Sequence, residues 1–328
     1  MKYKESSQCD RWVFTNEQLA ELRGAKLEST LRVLTQAQES SSQASGSGNG
    51  DTPPPADLAP PSLEEQELLL RYYGSKLQAI CAELKLPRKV LGTCVTFLKR
   101  MYVHSCVLEV DPQTIFLTCL YLACKTEESY ISAAELGRLS GMRAEIVLGT
   151  ELTLLQGLKF DLIVFSPFNA IEGFMQVIQE RAQIPGAVEP ALLGLQESTA
   201  DRARRAALAA ADALMLTDAP LLFTPGQLAL AALRSGFHKA GIKIQNPAAL
   251  VLSPDEQPEE TVHKLAAVLR SIDELGALGS ATLDLEEIAA IDRRVKACRA
   301  VLSETSRKAA KGKPSGKSGT KEAIAAKA

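Results

Sequence analysis

Seven stretches of this chain open in the same way. A Ser, Thr or Asp stands just ahead of an apolar-periodic run, with Glu or Gln three positions on or Pro at the next position. The pairs are Thr15/Gln18, Ser62/Glu65, Asp111-Pro112, Ser132/Glu135, Ser166-Pro167, Thr224-Pro225 and Asp284/Glu287. A side-chain oxygen there accepts from the orphan amides of a first helical turn, and Pro at the first position loses no bond the helix would have used. Helix starts spread this evenly from end to end predict an all-α chain.

The first helix, with Phe14 and Leu19 as a hydrophobic staple, is predicted to run to about residue 38. Others fit 63–84, 87–105, 112–126, 132–140, 143–158, 167–181, 190–216, 224–239, 258–276 and 284–304. Between the first two lies ESSSQASGSGNGDTPPPADLAPP (39–61), a Ser/Gly/Pro-rich linker with almost nothing to bury. LKFDLIVFSPF (158–168) reads as an extended connector, and the chain from about 306 as a flexible basic tail. DPQTIFLTCLYLA (111–123) and TPGQLALAALRSG (224–236) echo each other in cap, Pro and apolar spacing, which suggests two similar helical lobes in tandem. The expected organisation is an N-terminal helical region (1–38), the linker (39–61), a first lobe (62–164), a second lobe (165–280), a C-terminal helix (281–305) and the tail (306–328).

Charge and cysteine usage narrow the function. Net charge is −2 over 328 residues, but residues 299–328 hold eight Lys/Arg against two Glu, so the rest carries −2 − 6 = −8. An acidic body gives no electrostatic case for nucleic-acid binding. Seven cysteines, an odd number with no C-x-x-C, read as buried thiols in a reducing compartment. The apolar stretch Ile115–Cys124 is far short of a membrane span, and the chain is expected to be soluble and intracellular. GSGNGD (46–51) has no strand before it, and GKPSGKS (312–318) is one residue short of a phosphate loop. His104, His238 and His263 lie far apart, with no carboxylate or Cys at ligand spacing. No nucleophile elbow or Cys/His pattern is found, so neither catalysis nor a metal or cofactor is expected.

Two charges interrupt otherwise apolar helices. Lys125 ends one, with Tyr121 and Leu122 one turn back; it reads either as a complement to the helix C-terminus or as part of a binding face. Glu151 has Val147, Leu148, Leu154 and Leu155 at i−4, i−3, i+3 and i+4. A carboxylate in that stripe needs a partner, since burying it bare costs several kcal/mol. Periodicity leaves open whether the partner lies in this core or on another protein.

ACKTEE (123–128) resembles the A-[CS]-K-x-[ED]-E signature of the cyclin family. Twenty-six residues after its lysine comes E-x-x-x-L-x-x-L-x-F-D-L (Glu151 to Leu162), similar to the end of the cyclin box. The resemblance covers roughly 60–305 and implies two tandem five-helix cyclin-fold lobes with extra N- and C-terminal helices. Ser6 to Arg23, FLKRMY (97–102), LKFDLIVFSPF, EGF (172–174) and LTDAPLLFTP (216–225) are similar to the cyclin H subgroup. That subgroup's members are regulatory subunits of the CDK-activating kinase.

The resemblance implies that Lys125 and Glu151 grip a cyclin-dependent kinase beside its αC helix. Tyr121, Leu122, Glu128, Val147, Leu148 and Leu155 are expected around them. It implies a nuclear protein with a kinase catalytic subunit, a third assembly-factor subunit and transcription factor TFIIH as partners, without membrane or direct nucleic-acid contact. The helix over 63–84 lacks the M-R-A-I-L patch of cell-cycle cyclins, so R-x-L docking is not carried over. Within the family the alternative is a cyclin of an elongation or Mediator kinase. A DNA-binding factor resembling transcription factor IIB would want an N-terminal zinc ribbon and basic lobes. Here Cys9 is the sole cysteine before Cys81.

Overall fold

The computed structural model describes residues 2–44, 59–251 and 259–311, with 37–44 and 305–311 as backbone only. All regular structure among them is helical. Short α1 (Ser7–Arg11) and long α2 (Asn16–Ala44) precede a first lobe of α3 (Leu63–Glu83), α4 (Arg88–Met101), α5 (Pro112–Thr126), α6 (Ala133–Ser140) and the kinked pair α7 (Ala144–Gly149) and α8 (Glu151–Gly157). The second lobe comprises α9 (Pro167–Arg181), α10 (Glu197–Leu216), short α11 (Ala219–Leu222), α12 (Pro225–Lys239) and α13 (Glu259–Ser280); α14 (Leu285–Lys311) closes the chain. The helices thus form two tandem lobes with extra terminal helices, the arrangement expected from the sequence.

Six of the seven expected caps accept from a first-turn amide, and Ser166 alone makes no side-chain cap bond. The hydroxyls of Ser62 and Thr224 accept from the Glu65 and Gln227 amides, and those side chains reach back in turn, closing two capping boxes. The helices that echo each other in sequence, α5 and α12, are the central helices of their lobes. Ile115–Leu120 and Leu122–Cys124 are buried on nearly all sides, as are Leu228–Leu233 and Phe237. Gly236 lets α12 meet α10 closely, since a Cβ there would stand 2.3 Å from the Ala203 carbonyl.

Several boundaries differ from the sequence expectation. The helix expected to stop near 38 continues to Ala44, and the rest of the expected linker, 45–58, lies outside the described residues. The helix expected over 190–216 begins at Glu197, because Pro190–Leu192 forms a separate 3-10 turn and Gly194 takes the left-handed conformation (φ 66°). The single helix expected over 143–158 breaks at Thr150. The C-terminal helix runs on to Lys311; the remaining tail, 312–328, lies outside the described residues. No two of the seven cysteines are joined by a disulfide, and six are buried.

A buried ion network fixes the pieces relative to one another. Asp218, at the start of α11, receives a two-pronged contact from Arg23 of α2 (2.6 and 2.9 Å) and lies 3.6 Å from Lys99 of α4. Arg23 also bonds the half-exposed Glu67 of α3 at 2.8 Å. Burial alone would raise the Asp218 carboxyl pKa, but Lys99 and Arg23 overcome it and hold the value down to about 2. Burial lowers the Lys99 pKa, and Asp218 offsets only part of that. Closer to the N-terminus, Gln8 exchanges two hydrogen bonds with the backbone of Phe165 (3.0 and 2.7 Å). The Trp12 indole donates to Asp161 (2.9 Å), and the Arg100 guanidinium stacks on its ring. The N-terminal segment therefore straps the connector between the lobes.

Removing the anion would leave two cations buried without it, so Asp218→Ala is expected to cost about 3–5 kcal/mol in chemical denaturation. The pH sign follows from the depressed pKa. Asp218 stabilises the fold above its ordinary value of 3.8, and the contribution disappears as pH falls towards about 2. Stability measured from pH 6 to pH 2 should fall about 2 kcal/mol further in the wild type than in Asp218→Asn.

Candidate functional site

The break at Thr150 builds the site. Gly149 offers no side-chain contact to hold a continuous helix, and the Thr150 hydroxyl bonds back to the Ile146 carbonyl (2.9 Å), which bends the chain. The buried Thr118 of α5 braces this turn, its hydroxyl donating to the Thr150 hydroxyl at 2.7 Å and lying 3.3 Å from the Val147 carbonyl. The bend makes Glu151 the first residue of α8 and aims it at the last turn of α5.

There it meets Lys125, with Nζ 2.5 Å from the Glu151 carboxylate. The C-terminal end of one helix faces the N-terminal end of another, and each charge suits its own helix end. Lys125 keeps 44% of its side-chain surface and Glu151 keeps 19%. The carboxylate raises the Lys125 pKa, so the ammonium is fully charged at neutral pH. Its ammonium lies 5.3 Å from the Tyr121 ring centre. An ammonium has three donors and a carboxylate about four acceptor positions. The mutual bond therefore leaves both groups able to take further partners.

Leu148 is half-exposed on the same ridge, Leu155 is partly buried, and Glu128 is exposed just beyond α5. Glu128 adopts φ 55°, closing α5 with the Ser129 amide on the Cys124 carbonyl (2.9 Å). Leu122 and Val147 are core residues, 3% and 0% exposed, so they support this surface from beneath and offer a partner nothing to touch. The sequence reading missed Leu152, 58% exposed, which follows Glu151 in the first turn of α8. It also missed Phe160, 62% exposed, held outward by a left-handed turn at Lys159 and Phe160 (φ 52° and 60°). Its place next to Glu151 was a usable signal for Leu152, whereas nothing local marks Phe160. Beside the pair, a groove of about 940 Å³ runs from Thr126 and Glu127 along Leu162–Phe165 to Pro225 and Gly226.

Among the described residues no group of three or more His, Cys, Asp or Glu is placed to hold a metal ion, and no helix is long and apolar enough to cross a membrane. Lys125→Ala and Glu151→Ala are each expected to change the stability of the isolated chain by less than about 1 kcal/mol, since the pair is partly solvated. Thr118→Val, which removes the donor to the Thr150 hydroxyl but leaves that hydroxyl its bond to the Ile146 carbonyl, should cost about 1 kcal/mol in the same denaturation experiment.

Comparison with known proteins places this geometry in context. The family model described as the cyclin N-terminal domain matches residues 64–163, and that of the cyclin C-terminal domain matches 166–303. Cyclin-H1-1 of Arabidopsis thaliana is 34% identical over 313 residues, 90% of this chain and 88% of its own. Cyclin-H of Xenopus laevis is 33% identical over 248 residues, 72% of each chain. Among solved structures, a chain of the CAK complex from Chaetomium thermophilum superposes with a TM-score of 0.71 at 23% identity, covering 98% of both chains. A chain of the yeast TFIIK (Kin28/Ccl1/Tfb3) complex gives 0.56 at 24%, covering 84% of this chain and 100% of its own. These structural likenesses establish the fold.

Proposed function

Because this chain belongs to the cyclin family, we propose that it binds a cyclin-dependent kinase of the CDK-activating type and switches it on. The observation that carries this reading is the Lys125–Glu151 pair. It is charged, solvent-facing and set in an apolar ridge, with hydrogen-bonding capacity left over on both members. The relatives named Cyclin-H, at 33–34% identity, favour that kinase class over other transcriptional cyclins.

Docking works by replacing water. Lys125 donates its remaining N–H groups to carbonyls flanking the kinase αC helix, and Glu151 accepts from donors there. Leu148, Leu152 and the Tyr121 ring exclude solvent around both contacts, which strengthens them. A kinase with αC held away leaves its Lys–Glu ion pair and metal-binding Asp out of line. A partner that binds the aligned state more tightly shifts the population towards it. On this reading the chain performs no phosphoryl transfer itself; it selects the conformation that does. The yeast neighbour is a three-component complex by name. We extend the proposal to a third assembly subunit, to work within TFIIH on the RNA polymerase II C-terminal domain, and to a nuclear location.

The test mixes a purified CDK-activating-kinase catalytic subunit with this chain, as wild type and as Lys125→Ala/Glu151→Ala. Substrates are an activation-loop peptide and a polymerase C-terminal-repeat peptide. Wild type should stimulate phosphorylation and the double variant should not. Each single variant should weaken kinase binding by about 2 kcal/mol, roughly thirtyfold. A wild-type chain that leaves this kinase idle while activating another overturns the kinase assignment, and equal stimulation by the double variant overturns the site.

A further inference from the structure

The second lobe holds a cleft that shares no residue with the surface just described. Its walls are α10, α12 and α13, and its volume is about 480 Å³. Ala209, Ala210, Gly276 and Ala277 form an accessible apolar bed over the buried Leu214, Ala232 and Ile272. At the rim Arg234 is neutralised by Asp273, the one carboxylate among the lining residues, and also bonds the Leu269 carbonyl at 3.1 Å. His238, Lys239 and Lys243 complete the rim. All three are exposed, and neither lysine has a carboxylate partner among the described residues.

Two lysines without anions are ordinary on a surface, and Lys239 in the last turn of α12 suits that helix end. Lys243 lies beyond the helix and gains nothing from its dipole. What distinguishes the pair is its position, over a concave apolar floor, in a chain whose residues 1–298 carry −8. An excess of +2 on an acidic body lowers the repulsion an acidic partner would otherwise meet. The cleft lies within the 300–1,000 Å³ range of ligand sites, an apolar bed with a few convergent polar groups.

We infer that this cleft docks an acidic segment of a partner polypeptide. One or two apolar side chains of that segment lie on the Ala209/Ala210/Ala277 bed, and its carboxylates face Lys239 and Lys243. The floor selects a peptide over a nucleic acid, whose phosphates would use the two lysines and leave the apolar bed empty. Since the cleft and the Lys125–Glu151 surface are separate, the chain can hold this segment and a kinase together.

The probe is a fluorescein-labelled peptide, acetyl-EDLEELFDE-amide, titrated with the full-length chain and read by fluorescence anisotropy. Its Gln/Asn counterpart retains the apolar residues without the charge. The protein variants are Lys239→Glu/Lys243→Glu, which reverses the rim, and Ala277→Phe, which fills the cleft from an exposed position. Saturable binding to wild type is expected, at least tenfold weaker for the uncharged peptide and for each variant, with kinase stimulation unchanged. No saturable binding to wild type overturns the proposal, as does equal binding by wild type and Ala277→Phe. A labelled single-stranded RNA of equal charge serves as competitor. Should it bind more tightly than the peptide and lose affinity in the lysine variant alone, the site is an electrostatic contact and the peptide reading falls.

Discussion

The relative placement of the lobes depends on one carboxylate. Asp218 comes from the second lobe, Lys99 from the first and Arg23 from the N-terminal helix, and all three ionic groups are largely removed from water. Desolvating two cations and an anion costs several kcal/mol per ion, and no single pair repays that unaided. The arrangement is stable because Asp218 faces both cations at once and Glu67 adds a fourth charge at the edge. Any sliding of one lobe on the other would separate Asp218 from Arg23 or Lys99 and leave a charge bare. The connector Leu162–Phe165, which lines the groove beside Lys125, is held by separate bonds, from Gln8 to Phe165 and from Trp12 to the adjoining Asp161.

Within that frame the candidate site is a junction of two helix ends. The C-terminal end of α5 and the N-terminal end of α8 would each leave unsatisfied backbone dipoles facing the other. Lys125 and Glu151 complement both. The pair therefore has a structural use in the isolated chain and is still available to a partner, because neither member exhausts its hydrogen-bonding positions. The two readings left open by periodicity, an internal ion pair and a docking contact, are compatible. Glu151 has its partner within the chain, and that partner lies at the surface.

Helix starts were legible because each depends on a side chain one to three residues away. Thr15, Ser62, Asp111, Ser132 and Thr224 all cap where their type and spacing said they would. The break at Thr150 was not legible, since it depends on Thr118, thirty-two residues earlier, whose hydroxyl meets that of Thr150. Burial of Leu122 and Val147 was hidden for a related reason. A helical stripe shows which residues share a face, whereas α5 is enclosed on nearly every side, so its stripe does not distinguish core from rim. The Asp218 network joins residues 119 and 195 positions apart and left no mark in local pattern.

The cations of this chain differ in what their surroundings allow. Lys99 and Arg23 are committed, since moving either from Asp218 would strand a buried anion. Lys125 is intermediate, satisfied by a carboxylate but open to water on one side, so a partner can add bonds without breaking the first. Lys239 and Lys243 carry no such commitment among the described residues, and ordering them against an incoming carboxylate costs only rotamer freedom and partial desolvation. Affinity at each surface then scales with how much water the neighbouring apolar residues can exclude. Beside Lys125 those residues stand on a ridge and suit a partner with a groove. Beside Lys239 they line a hollow and suit a partner with a protruding side chain.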